Sequence, residues 1–141
     1  MNNRPEIVCL CGSTRFYEDF REANYQQTLA GRIVLSVGFY PHAADKAHAG
    51  HVGVTAEEKR QLDVLHLRKI DLADAVLILN RDGYIGESTT RELAYAVVMH
   101  KRVEWLEDDS SETCFAKAAA FVEHNHAEVA SWVDCVTARK P

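Results

Sequence analysis

No apolar run in this chain approaches the ~20 residues of a membrane-spanning helix, so no membrane role is expected. No block of Lys or Arg appears either, and the formal net charge is −5. Polymeric nucleic acid is therefore an unexpected partner. A mononucleotide stays open, because it needs only a local positive site. The four cysteines, Cys9, Cys11, Cys114 and Cys135, include no Cys-x-x-Cys pair. Reduced thiols in a cytosolic protein are the expectation, and hence a cytoplasmic location. No signal peptide is read at the start, where Met1-Asn2-Asn3-Arg4-Pro5 runs straight into an apparent strand. Internal repeats and low-complexity segments are lacking as well. Three histidines, His42, His48 and His51, fall in a loop-like stretch from Gly38 to Gly53, but their spacing matches no common zinc pattern and no cysteine is nearby. That stretch reads as a solvated, substrate-covering loop. Neither a metal nor a cofactor is expected.

What the chain does contain is ordinary for a globular protein: 141 residues, 47% apolar and 26% charged. That length fits one domain, residues 1–141, able to bury a core without staples. Glu6-Ile7-Val8-Cys9-Leu10-Cys11 reads as a buried parallel strand. Gly12-Ser13-Thr14 follows at once, then a helix pattern with Phe16, Phe20, Ala23, Gln27 and Ala30 on one face. Ser13 or Thr14 is its expected N-cap, and Gly31 ends it. Arg32 to Val37 is a second strand. A second helix starts at Thr55-Ala56-Glu57-Glu58 and runs to about Leu72. Leu62, Leu65, Leu72 and Ala73 are expected to face the sheet, with Lys59, Asp63, His66 and Ile70 on the neighbouring stripe. Ala75 to Asn80 is the third strand and Lys101 to Leu106 the fourth; a last helix spans Glu112 to about His124. The pattern predicts an α/β fold, a flavodoxin/Rossmann-like three-layer sandwich around a mainly parallel sheet of four to five strands.

The organising stretch is Gly83-Tyr84-Ile85-Gly86-Glu87-Ser88-Thr89-Thr90-Arg91-Glu92. It joins the third strand to a helix, at the end of the sheet where open α/β folds bind ligands. Ser88 and Thr89 are candidate caps, and the free N–H groups of such a helix start attract an anion such as phosphate. Glu92 lies four residues after Ser88 and three after Thr89, so the three share one face. A switch in winding direction after the first strand would bring Gly12-Ser13-Thr14 beside Gly86-Glu87-Ser88-Thr89, the two flanking one crevice.

Three segments carry a family resemblance: Cys11-Gly12-Ser13-Thr14-Arg15-Phe16, Ile70-Asp71-Leu72-Ala73-Asp74-Ala75-Val76, and Gly86 through Ala96. Over roughly residues 6 to 106 the chain resembles the nucleoside 2-deoxyribosyltransferase superfamily, including its nucleoside 5′-monophosphate N-glycosidase branch. The resemblance implies that Glu92 attacks the anomeric carbon of the sugar. It places a 5′-phosphate on Gly86 and Ser88, with Thr89 beside them, and lines the sugar–phosphate side with Gly12, Ser13 and Arg15. His66 stands where related chains commonly carry an acidic residue. Homodimers or larger assemblies are also implied, with Trp105, Trp132 or the final helix as candidate contacts.

Cleaving an N-glycosidic bond passes through an oxocarbenium-like centre, which a carboxylate can stabilise or trap covalently. The departing base needs an acid, for which Asp63, His66 and Asp71 are the candidates. His66 could instead be a cation holding Glu92. Tyr84 is the expected wall or lid for a flat base. The function expected is cleavage or transfer of the N-glycosidic bond of a small-molecule nucleotide or nucleoside, a nucleoside 5′-monophosphate foremost. The alternative is a nucleotide-binding or sensing module on the same fold, without turnover.

Overall fold

Alternate residues of the first strand bury on opposite sides of one sheet, and this sets the layering. In the computed structural model, which describes residues 3–38 and 55–138, β1 spans Ile7–Cys11. Val8 and Leu10 pack with Phe20, Ala23, Leu77 and Leu79 on one face, while Cys9 and Cys11 join the larger core on the other. The order continues α1 (Tyr17–Leu29), β2 (Ile33–Leu35), α2 (Ala56–Leu72), β3 (Ala75–Ile78), α3 (Glu87–Val98), β4 (Arg102–Trp105), α4 (Ser111–His124) and α5 (His126–Ala138). Helix α1 covers the first face; α2, α3, α4 and α5 contribute to the core on the second. The result is a three-layer flavodoxin/Rossmann-like sandwich.

All strand pairs are parallel and the strand order is β2-β1-β3-β4. The chain moves one way from β1 to β2 and the other way through β3 to β4. The switch point therefore lies between β1 and β3, whose carboxyl-terminal loops emerge side by side. Cys11 pairs with Ile78, and the Leu79 N–H reaches the Cys11 carbonyl at 2.8 Å. Gly12 follows at this closest approach. A Cβ built there would lie 2.9 Å from the Leu79 Cβ, so only glycine fits without a shift.

Two polar ties hold the ends of the sheet. Asp74 accepts two hydrogen bonds from the Arg4 guanidinium at 3.0 Å and one from the Ile7 N–H at 2.8 Å. Those bonds pull its carboxyl down to about 2, Arg4 first and the Ile7 amide next. At the opposite end Asn80 is fully buried. Its amide donates to the Glu107 carbonyl and the Ser110 hydroxyl at 2.8 Å, and its oxygen accepts from the Glu107 N–H at 3.0 Å. At Asn80 these bonds satisfy a side chain that burial would otherwise leave unpaired.

Several expectations need correction. Leu62, Leu65 and Leu72 do not face the sheet: they are 44%, 53% and 67% exposed, whereas His66, Leu67, Ile70 and Ala73 are buried. The inward face of α2 is the stripe that carries polar residues at its amino-terminal half, because that half borders a cleft rather than the core. Trp132 is not an exposed contact residue. It sits in the core on α5, edge-on to Tyr95 at 5.1 Å and stacked with Phe121 at 5.9 Å. Trp105 is half-buried against Phe115. The loop containing His42, His48 and His51 lies outside the described residues. No helix among the described residues is long and apolar enough to cross a membrane.

Candidate functional site

A cleft of about 520 Å³ opens above the switch point. Its lining unites the loop after β1, the segment after β2, α2 from Lys59 to Lys69 and the start of α3, and it includes Gly12, Ser13, Arg15, Asp63, His66, Tyr84, Gly86, Ser88, Thr89 and Glu92. Of the residues singled out in the sequence, only Asp71 is elsewhere. Its carboxylate accepts from the Tyr95 hydroxyl and pairs with Arg68 at 2.8 Å. It follows the last α2 residue of the lining, Lys69, by two positions, and its carboxylate is turned to these partners rather than into the cleft. Glu92 is not a solvated helix residue: it is 8% exposed, and the neighbouring Arg91 pairs with Glu128 at 3.2 Å.

The helix starts differ from expectation in detail. Gly86 is the N-cap of α3, so Ser88 and Thr89 occupy its first turn and do not cap it. The N-cap makes no side-chain cap bond, and Gly86, Glu87, Ser88 and Thr89 all line the cleft. Glu87 is exposed in the same turn. It favours the helix dipole but adds a negative charge to the rim. Likewise α1 begins at Tyr17 after Phe16, so Ser13 and Thr14 lie in a turn before it rather than at its cap. Here the Ser13 carbonyl accepts from the Phe16 N–H at 3.0 Å, and its hydroxyl accepts from the Arg15 N–H at 3.3 Å.

Arg15 and Tyr84 form a strap between the two loops. The guanidinium donates to the Tyr84 hydroxyl at 2.9 Å and lies 4.3 Å from the ring centroid, while Phe16 meets the same ring edge-on at 5.9 Å. The Tyr84 hydroxyl in turn sits over Gly86, 3.2 Å from where a Cβ would be. Arg15 is thereby held close to the start of α3. On the other side of the rim, Lys59 donates to the Ser88 hydroxyl at 2.8 Å and to Asp63 at 3.0 Å, tying α2 to the first turn of α3.

At the floor, Glu92 on α3 faces His66 on α2, with Oε1 3.9 Å from Nε2. Nε2 lies 3.1 Å from the Leu10 carbonyl and 3.6 Å from both the Cys9 and Cys11 sulfurs. A carbonyl can only accept, so Nε2 carries a proton. The reason this carbonyl is available is topological: β2 ends at Leu35, opposite Cys9, and the imidazole takes the place of the next strand partner. Burial pushes the Glu92 carboxyl up to about 7, with His66 opposing the rise. Burial would lower the imidazole, yet the charges of Glu92 and Cys9 together push His66 up to about 9. Cys11 is pushed well above the usual thiol value by its hydrogen bond with Cys9 and by burial. That same bond, aided by His66, draws Cys9 down.

Cys9, Cys11 and His66 offer three potential metal donors within 4.8 Å of one another, a cluster the histidine spacing in the sequence did not point to. A metal there would have to displace the Nε2–H bond to Leu10. Lys59, Lys69 and Arg91 also line the cleft and were missed as site residues. For Lys59 the signal was present, since it precedes Asp63 by four positions and His66 by seven on one helical stripe. Lys69, which donates to the Ser36 carbonyl at 2.6 Å, is identified only by the fold. Chemically the arrangement offers an anion-accepting rim, an aromatic wall at Tyr84, and a buried carboxylate poised near neutrality. No protein-family model, curated protein or solved structure matches this chain.

Proposed function

We propose that this chain is an enzyme that cleaves or transfers the N-glycosidic bond of a small nucleotide or nucleoside, a nucleoside 5′-monophosphate first among them, in the manner of the nucleoside 2-deoxyribosyltransferases it resembles. One observation carries the reading: a single buried carboxylate, Glu92, lies at the floor of a cleft whose rim holds an uncapped helix start flanked by Arg15 and Lys59. The phosphate would meet the α3 N–H groups, Ser88, and the two cations. Glu92 would attack the anomeric carbon. The carbon–nitrogen bond breaks, its electron pair leaves with the base, and a glycosyl ester forms on the carboxylate. Water, or an incoming base, then releases the sugar and restores Glu92. Asp63, at the cleft end of α2, is the acid candidate nearest the solvent side, while Tyr84 supplies the flat wall.

Incubation with a panel of nucleoside and deoxynucleoside monophosphates, followed by chromatography for free base, tests the proposal. Base release that vanishes in Glu92→Ala is the expected result. Tight binding with no release in the wild type would support the module without turnover instead. The same reading takes the working form to be a cytoplasmic homodimer or larger assembly; light scattering that returns a clean monomer would remove the assembly from it.

A further inference from the structure

We infer that His66 is the positioning residue of this site: fixed from behind by the Leu10 carbonyl, it orients Glu92 and favours its ionised form, and it does not deliver a proton to the departing base. This rests on the proposed N-glycosidic chemistry and adds a role within it. Three geometric facts carry it. First, His66 is 5% exposed and Nε2 is surrounded by protein: Leu10 O at 3.1 Å, two sulfurs at 3.6 Å and Glu92 at 3.9 Å. An acid must reach the nitrogen it protonates, to hydrogen-bond distance or through one water. The Nε2–H is directed at the strand, away from any ligand above it, and the ring as a whole is closed off from solvent. Second, the same anchoring fixes the ring plane and tautomer, as a group that holds another must be held itself. Third, Glu92 has been taken out of water at the floor of the cleft, where an ionised carboxylate needs a compensating positive charge.

The charged and titratable neighbours leave that role to His66. On β1 the facing groups are Cys9, whose charge opposes ionisation of Glu92, and Cys11, which favours its neutral form. On α2, Lys59 adds a weaker pull on Glu92 in the same direction but is engaged by Asp63 and Ser88, and Lys69 by the Ser36 carbonyl. Asp63 itself opposes ionisation of Glu92. On α3, Arg91 is paired with Glu128 and Glu87 is exposed at the rim. The imidazole is the cation in direct range of Oε1 among the described residues.

The test separates holding from proton donation, and both from the proposed reaction. Substituting His66→Gln keeps an N–H donor and removes the charge. In the variant the 13C carboxyl titration of Glu92 is expected to move to higher pH, lowering the ionised fraction near neutrality by roughly tenfold for each unit. A midpoint unchanged from wild type would overturn the inference. Kinetics then use two substrates: a nucleoside monophosphate, and a 4-nitrophenyl deoxyriboside 5-phosphate whose phenolate departs without protonation. Loss of rate on both, with the rising limb of kcat/KM displaced to higher pH, is expected. Loss on the nucleotide alone would make His66 the acid and overturn the inference. Should the variant fail to fold, 15N spectra of the wild-type imidazole decide: a doubly protonated ring at pH 8 supports the role, a neutral ring refutes it. Where the wild type cleaves neither substrate, the enzymatic reading fails, and the titration still decides whether His66 governs Glu92.

Discussion

Replacing Glu92 by glutamine should make this protein more stable at pH 8, even as it removes the proposed nucleophile. The carboxyl rises from 4.5 to about 7 because burial strips its hydration. Such a group favours the folded state only while protonated. Its contribution is intact below about pH 4.5 and is lost as pH climbs through 7. Above that, keeping the charge buried costs on the order of 3 kcal/mol, at roughly 1.4 kcal/mol per tenfold. His66 acts in the opposite sense. Raised from 6.5 to about 9, it adds stability that is full below 6.5 and gone above 9. At pH 8 that is on the order of 1 kcal/mol, but the attraction between the two groups is already contained in the Glu92 value. The net gain for Glu92→Gln is therefore about 3 kcal/mol, or roughly 6–12 °C in Tm for a chain of this size. Paired thermal melts from pH 4.5 to 8.5 should show a difference that is small at the acid end and grows through neutrality. A variant that melts at or below the wild type at pH 8, or a difference independent of pH, would refute the idea that the fold is strained to bury this carboxylate.

Turnover should occupy a window bounded by the same two groups. The kcat/KM profile is expected to rise with pH through about 7 as Glu92 ionises and to fall near 9 as His66 loses its proton; a flat profile across this range would contradict the pairing. Lys59→Ala should raise KM for a nucleoside monophosphate by about tenfold more than for the matching nucleoside, since a charge-assisted bond to phosphate is lost; equal effects on both would mean Lys59 does not sense the phosphate. Gly12→Ala forces a Cβ to within 2.9 Å of Leu79, and urea unfolding should report a loss of about 1–3 kcal/mol. Asn80→Ala strands the Glu107 N–H and carbonyl beneath the adjacent loops, and a loss of about 1–3 kcal/mol is expected; an unchanged midpoint in either variant would show that the local contact is slack.

Strand and helix periodicity was enough to read the layer order, because Val8 to Cys11 and Ala75 to Leu79 are short continuous apolar runs, as fully buried parallel strands must be. The convergence of the first and third loops followed from topology alone. Side-chain direction on α2 did not. Leu62 and Leu65 looked like a core stripe because apolar residues usually mark the buried face, but here they border a cleft and remain exposed. His66 was legible as a candidate, while its burial was not, since nothing local reveals that β2 stops short and leaves Leu10 in need of a donor. Helix capping was misread for a similar reason. Ser13, Thr14, Ser88 and Thr89 have the chemistry of caps, yet the backbone turns one or more residues away from them. Asp71 was expected near the crevice, but eight residues beyond Asp63 on the same helix its carboxylate meets Tyr95 instead.

The brevity of β2 links architecture to chemistry. Were this edge strand two residues longer, Val37 would continue the ladder and satisfy Leu10 through its own amide, as parallel pairing dictates. The imidazole would then have no anchor, and the floor beside Glu92 would close over with backbone. The pocket is thus a vacancy in the sheet completed by a side chain. Lengthening that strand by design would trade the reactive cavity for a more regular and chemically silent fold.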